Sequence, residues 1–344
     1  TNKKNIRKIR KIQIVVKYFD EEWPKEEAIL NLGLKMSRQS KAERQAKTMD
    51  RLFCIGNGES RLKFDLKQLK KFGKLYGCNA IYRDHLDLID VLTCVDNGIS
   101  HEVYHNGVCQ KIPCYFRHWT KLPEFHYTHI LKAQLDKLES EGVDIEQIKR
   151  VMTENAKGDS KEFVMHGSSI EGLATIIKQN KDRERRNVSL NNIYISWIKE
   201  PDHSHTLEDV MHDMRKSHWS EGKDYGWAAG PTSGFIGVER EKPKKVYLIG
   251  HDLFSHTITV NNVYKSTNNY VAAKNNPTPA INWVRQWRDL FQWFPDIQFI
   301  KVSEALDNRN KACQPYILEW KGMKNVSYMT LNELQSSIAK GADF

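Results

Sequence analysis

The chain lacks a CxxC pair, and Cys109 and Cys114 have no histidine partners at zinc-finger spacing. That excludes the common structural zinc modules. Only six cysteines occur in 344 residues, and Cys54, Cys78 and Cys94 each sit in a short apolar run where a thiol acts as a small hydrophobe. A chain of this length buries roughly three quarters of its unfolded surface without disulfide staples. Free thiols, a reducing compartment and a cytoplasmic setting are therefore expected. No apolar run approaches the ~20 residues of a membrane span, and no signal-peptide pattern is present, so no membrane partner is expected. Internal repeats and low-complexity segments are missing as well. Acid is missing from the start: Lys3, Lys4, Arg7, Lys8, Arg10, Lys11 and Lys17 precede any Asp or Glu. With a formal net charge of +10, the chain can be steered toward nucleic acid or another polyanion. A solubilising tail explains the same block, and no nucleic-acid motif accompanies it.

What is present becomes readable between Arg51 and Asp96. Apolar runs of four or five residues stop at Gly56-Asn57-Gly58, at Gly77-Cys78-Asn79 and at Asp96. Short apolar runs bounded by turn residues fit strands covered on both faces. Between the first two, Leu62, Phe64, Leu66, Leu69 and Phe72 alternate with lysines, which predicts an amphipathic helix ending near Gly73. Strand, glycine-rich turn, helix, strand opens an α/β fold: a Rossmann-like, mostly parallel sheet flanked by helices. Such sheets bind ligands beyond the carboxyl ends of their strands. In the turn, Gly56 and Gly58 permit positive φ and close backbone approach. Ser60 can cap the helix or donate to a phosphate, and Arg61 can pair with one. A tight βα turn with Arg61 in solvent is the competing reading. The dinucleotide fingerprint is excluded, because no third glycine follows at the required spacing.

The remaining chain divides by character. Residues 1–50 read as a basic extension, with a strand over 12–19 and a helix over 24–49. Residues 51–121 form the first half of the nucleotide-binding domain, including a fourth strand over 111–116 in which Pro113 marks an edge or a start. Residues 122–189 read as a helical insertion, or lid, with helices over 129–138, 145–152 and 170–177. Residues 190–344 supply the second half, beginning with a strand over 191–198 that returns the chain to the sheet. There Gly230-Pro231-Thr232-Ser233-Gly234 reads as a small-residue turn entering a helix, able to face an anion. Val246–Ile249 is another buried strand, ended by Gly250-His251-Asp252. The two polar turns fall at the ends of different parallel strands, so they are expected to meet across the sheet. Trp283, Trp287 and Phe291 share one face of a helix over 279–294 and read as core rather than as a stacking platform. Strands over 297–302 and 326–329 and a helix over 331–338 follow.

Gly56-Asn-Gly-Glu-Ser60, Cys78-Asn79, Thr232-Ser-Gly234 and Val246-Tyr-Leu-Ile-Gly-His-Asp252 resemble, in order and spacing, the bacterial sialyltransferases of glycosyltransferase family 42. The broader domain that includes motility-accessory glycosyltransferases and hydroxymethylpterin diphosphokinases is similar too, and the full set resembles tailed-phage proteins. The resemblance spans about 51–116 and 190–302. It implies a nucleotide-sugar donor held around Asn57, Gly58, Ser60, Asn79, Thr232, Ser233 and Gly234. By their own chemistry Gly56 and Arg61 join the same turn, and Asp96, at a strand end, can bind a ribose or sugar hydroxyl, hold a metal or cap the next helix. The family pattern also has two tyrosines on the leaving phosphate and a later histidine as base; Tyr264 and Tyr270, downstream in this chain, are candidate phosphate donors. Here Phe254 takes the place of the first family tyrosine, and no histidine follows His256.

Three functions follow. The first is a glycosyltransferase with His251 as base, then His256 or Asp252, and an acceptor that modified DNA would fit. The second is a diphosphokinase-like transferase with a divalent cation on Asp96 and Asp252. The third is a non-catalytic nucleotide- or polyanion-binding module.

Overall fold

A computed structural model describes residues 50–117, 119–123, 136, 139–140, 142, 162–167, 193–198, 201–207, 226–253, 260–304, 316–341 and 344. The chain divides into two units, Thr1–Met49 and Asp50–Phe344. The strand and helix expected before residue 50 lie outside the described residues, as do most of the helices expected within 122–189.

The second unit is built on strands β1 (Arg51–Ile55), β2 (Lys74–Cys78), β3 (Val91–Cys94), β4 (Cys114–Phe116), β8 (Ser204–Thr206), β9 (Lys245–Ile249), β10 (Gln298–Ser303) and β11 (Val326–Thr330). They form one eight-stranded sheet in the order β11-β10-β9-β1-β2-β3-β4-β8. Every neighbouring pair in it is parallel. Helices α1 (Tyr82–His85), α2 (Asn97–His105), α3 (Ala229–Glu241), α4 (Ile281–Trp293) and α5 (Leu331–Lys340) are described beside it. Residues alternate between two cores along each strand. Phe53, Ile55, Leu75, Leu92, Ile249 and Ile300 pack with α2 and α5. Leu52, Cys54, Tyr76, Val246, Leu248 and Phe299 pack with α3 and α4. Both faces are dry, which is why the strands read as unbroken apolar runs.

Four local expectations change. The helix expected over 62–72 is two 3₁₀ turns, Glu59–Lys63 and Leu66–Leu69. The Asp65 side chain accepts from the Lys67 N–H at 3.0 Å and so caps a new turn where the helix would have continued. Pro113 lies just before β4, and β4 is flanked by β3 and β8 rather than standing at an edge. The strand over 193–197, β7, does not return to the main sheet. With β5 (Trp119–Pro123) and β6 (Glu162–Gly167) it makes a three-stranded antiparallel sheet, so the insertion carries β structure. The return is made by β8. Finally, Gly230–Gly234 is not a turn: α3 begins at Ala229 and takes these residues into its first turns. Pro231 is tolerated there because N–H groups at a helix start have no intrahelical acceptor.

From β1 the chain proceeds through β2, β3 and β4 to one side, then later lays β9 on the other side of β1. Strand order therefore reverses between β1 and β9, which is where open parallel sheets leave a crevice.

Candidate functional site

The site grows from that reversal. Beyond the ends of β1 and β9 the two turns run against each other: Gly56 N–H donates to the Ile249 carbonyl at 2.7 Å and Gly58 N–H to the Gly250 carbonyl at 2.8 Å. A Cβ on Gly56 would lie 2.4 Å from the Gly250 oxygen, and one on Gly58 2.5 Å from Asp252 Cγ. The glycines are thus required by this turn-on-turn contact; only Gly250, at φ +68°, uses the left-handed region. Asp252 fixes the next residues. Its Oδ2 accepts from the Ser60 N–H at 3.1 Å and its Oδ1 accepts from the Ser60 hydroxyl. Ser60 is accordingly committed to Asp252 and does not cap a helix.

His251 joins this pair of turns to α3. A Cβ on Gly56 would come within 3.0 Å of His251 Nδ1, and one on Gly230 within 2.7 Å of Cε1. The ring meets Trp287 edge-on, centroids 5.1 Å apart. Burial first, and the nearby Lys301 ammonium second, push its pKa down to about 3. The imidazole is a neutral wedge between the two glycine-containing segments. Burial raises the Asp252 carboxyl, and its bonds from Ser60 and the Lys301 charge work against that rise.

Both segments also reach the end of β2. Asn57 Nδ2 donates to the Cys78 carbonyl at 3.0 Å, and Ser233 Oγ lies 3.5 Å from the Gly77 carbonyl. Asn57, in the β1 turn, and Ser233, in α3, therefore both reach the end of β2. Asn79 follows at φ +52°, a left-handed conformation that asparagine accepts more readily than most residues. Asn57 Oδ1, Asn79 Oδ1, Thr232 Oγ1 and His251 Nε2 are buried without a hydrogen-bond partner. Buried polar atoms left unpaired cost about 1–3 kcal/mol each, so a cluster of them marks a place where a ligand would restore bonding. Gly234 belongs elsewhere: a Cβ there would meet Trp287 at 2.6 Å, so its smallness serves the packing of α3 on α4.

The loop after β9 folds back over the β1 turn. Val263 N–H donates to the Asn57 carbonyl at 2.8 Å, Glu59 N–H to Asn261 Oδ1 at 2.9 Å, and Lys265 pairs with Glu59 at 2.6 Å. This brings Tyr264 and Tyr270 together, ring centroids 5.7 Å apart. Tyr270 Oη accepts from the Ala80 N–H at 3.1 Å. Tyr264 Oη accepts from Arg61 Nη2 at 2.9 Å and donates to Asp84 Oδ2 at 2.7 Å. Burial raises the pKa of both phenols, so each stays protonated. Arg61, expected at the surface or on a phosphate, is instead a fully buried guanidinium under Tyr264, with Nε and Nη1 unpartnered.

Asp96 stands apart, at the end of β3. It is exposed, yet enough protein surrounds it to raise its carboxyl, against the lowering pull of Arg117. Asp96 and Asp252 do not gather as a cation site: among the described residues no group of three or more His, Cys, Asp or Glu could hold a metal ion. His256 lies outside the described residues.

No family model matches the chain, and no curated protein matches it by sequence. Solved structures do. The fold is similar to that of the sialyltransferase CST-II. Against its complex with CMP and a trisaccharide acceptor the TM-score is 0.34 at 10% identity, over 73% of this chain and 80% of that one. Against a variant bound to CMP the TM-score is 0.38 at 11% identity, over 85% and 99%. Among the described residues no helix is long and apolar enough to cross a membrane.

Three residues at the site escaped the sequence reading. Arg83 donates to both Glu102 oxygens at 2.7 Å and to Thr267 Oγ1 at 2.8 Å, tying the tyrosine loop to α2. Asp84 holds Tyr264. Lys301 is buried in β10, where its Nζ donates to Ser303 Oγ at 2.7 Å. A lone lysine in the apolar run Phe299–Val302 was the available signal, because an isolated ammonium is rarely buried.

Proposed function

We propose that Asp50–Phe344 binds a nucleotide-activated sugar and transfers its glycosyl group. One observation carries the reading: the β1 turn and the start of α3, some 170 positions apart in sequence, converge on the end of β2, and unpaired acceptors are buried there. Asn57 Oδ1 is fixed as an acceptor because the amide nitrogen of the same group is spent on the Cys78 carbonyl. Acceptors such as Asn57 Oδ1 and Asn79 Oδ1 suit ribose hydroxyls or a base amine rather than a phosphate. The phosphate then falls to the donors: the Ala229 and Gly230 N–H groups at the start of α3, since Pro231 has none and Thr232 donates to the Ala228 carbonyl, and the hydroxyls of Tyr264 and Tyr270. The family's two leaving-group tyrosines are not matched in place, since Phe254 stands at the first; Tyr264 and Tyr270 enter as the downstream phenols that the loop brings together.

In the reaction the anomeric C–O bond to phosphate breaks, its electron pair stays on the phosphate, and an acceptor hydroxyl attacks while losing its proton. Charge grows on the phosphate, where fixed donors are most effective. His251 and Asp252 take positional roles in this scheme. A buried neutral imidazole with a pKa of about 3 is a weak base, and the Asp252 oxygens are committed to Ser60. Modified DNA as acceptor draws support from the +10 charge alone.

A thermal-shift panel of nucleotides and nucleotide sugars tests the reading. A cognate ligand at a hundred times its Kd stabilises by about 2.7 kcal/mol. Asn57→Ala and Ser233→Ala should each abolish most of that shift. The proposal is abandoned if no nucleotide in the panel moves the transition.

A further inference from the structure

The Tyr264 hydroxyl has a single proton, and in this structure it goes to Asp84 at 2.7 Å while Arg61 fills a lone pair at 2.9 Å. A phenol can donate only once. A phosphate arriving at Tyr264 must therefore take that proton from a carboxylate already in place. The two partners differ in freedom. The Arg61 side chain is 1% exposed and the Asp84 side chain 50%, so Arg61 is fixed while Asp84 can swing into solvent. Arg61 Nη2 lies 4.0 Å from Asp84 Oδ2, and its cation draws the carboxylate back.

We infer that Asp84 competes with bound phosphate for the proton of Tyr264, making that contact selective for phosphate that carries a second negative charge. The inference rests on the nucleotide reading above and names what the site discriminates. The phosphodiester of an intact sugar donor is a monoanion and a far weaker base than a carboxylate, so Asp84 keeps the proton. A departing phosphate gains charge toward the monoester dianion, which carries two negative charges and accepts hydrogen bonds more strongly than the diester monoanion. The dianion wins the proton. Tyr264 then donates to phosphate chiefly as the bond breaks, the kind of interaction that raises kcat rather than tightening substrate. Asp84 is a positioning residue here, acting only through Tyr264.

The test uses calorimetric titration at pH 7.5 with the four ribonucleoside 5′-monophosphates and the methyl phosphodiester of each. Wild type should bind the cognate monophosphate at least ten times more tightly than its methyl ester. Asp84→Ala and Asp84→Asn should tighten the ester several-fold and narrow that ratio. In the Tyr264→Phe background the same two substitutions should change neither ligand by more than about twofold. Equal tightening with and without the tyrosine hydroxyl would mean plain charge repulsion and overturn the inference, as would unchanged ester binding in both variants. If wild type binds no monophosphate, the nucleotide reading fails first and takes this inference with it. Because Asp84 is half exposed, its variants should melt within a few degrees of wild type, which the same samples report.

Discussion

Ser60 and Asp252, 192 positions apart, are joined by two hydrogen bonds, one from the serine backbone and one from its hydroxyl, to the two oxygens of one carboxylate. This clasp holds the β1 turn against the β9 turn. Hydrogen bonds to charged groups contribute about 1.5–3 kcal/mol. A double-mutant cycle of Ser60→Ala and Asp252→Asn should give a coupling energy in that range by urea unfolding. Coupling below about 0.5 kcal/mol would show that the turns are held by their backbone contacts alone.

His251 gives the fold a sensitivity to acid. Its folded pKa of about 3 lies below the ordinary 6.5, so the unfolded chain binds the extra proton as pH falls. Its stabilising contribution is complete above pH 6.5 and is lost progressively between 6.5 and about 3. His251→Gln should flatten the fall in unfolding free energy between pH 7 and pH 5 relative to wild type. A parallel fall in the two proteins would remove His251 as the cause.

Gly234 is where α3 meets α4. An added methyl would press on Trp287, with its Cβ 2.6 Å from the indole, and overpacking of this kind typically costs about 1–3 kcal/mol. Gly234→Ala should lower the melting temperature while leaving nucleotide affinity within about threefold. A large affinity loss at unchanged stability would return Gly234 to the binding site itself.

Phe344 is buried against Phe72 and Tyr247, and Arg51 stacks over its ring. Its carbonyl accepts from Arg51 and Lys245, each at 3.0 Å. Phe344→Ala should destabilise the protein by about 3–5 kcal/mol with no change in ligand selectivity, since these contacts lie at the opposite strand ends from Asn57. Chemical denaturation with and without nucleotide separates the two effects.

The strands and the polar corners were legible because burial on both faces and glycine-bounded ends leave marks at fixed short spacing. Arg51–Ile55, Lys74–Cys78, Val91–Cys94 and Lys245–Ile249 match the expected apolar runs to within about two residues at each end. The break at Asp65 was harder to see: the apolar spacing of 62–72 suits a helix, and one side chain capping its own backbone overrides it. The pairing of β7 with β6 depends on long-range register that periodicity does not encode. At the site, sequence could single out Asn57 and Ser233, whose side chains both reach carbonyls at the end of β2. It could not show that Ser60 is spent on Asp252, that Arg61 turns inward, or that Asp84 reaches Tyr264 across 180 positions.

The adjacency of β1 and β9 places the candidate site on a seam between an early and a late part of the polymer, joined there by hydrogen bonds and packing alone. The stretch between residues 123 and 226, which separates the two lips in sequence, supplies β8 at the far edge of the sheet. A fragment ending before that stretch and another beginning after it carry one lip each, so restored ligand binding on mixing the two would report their reassembly directly.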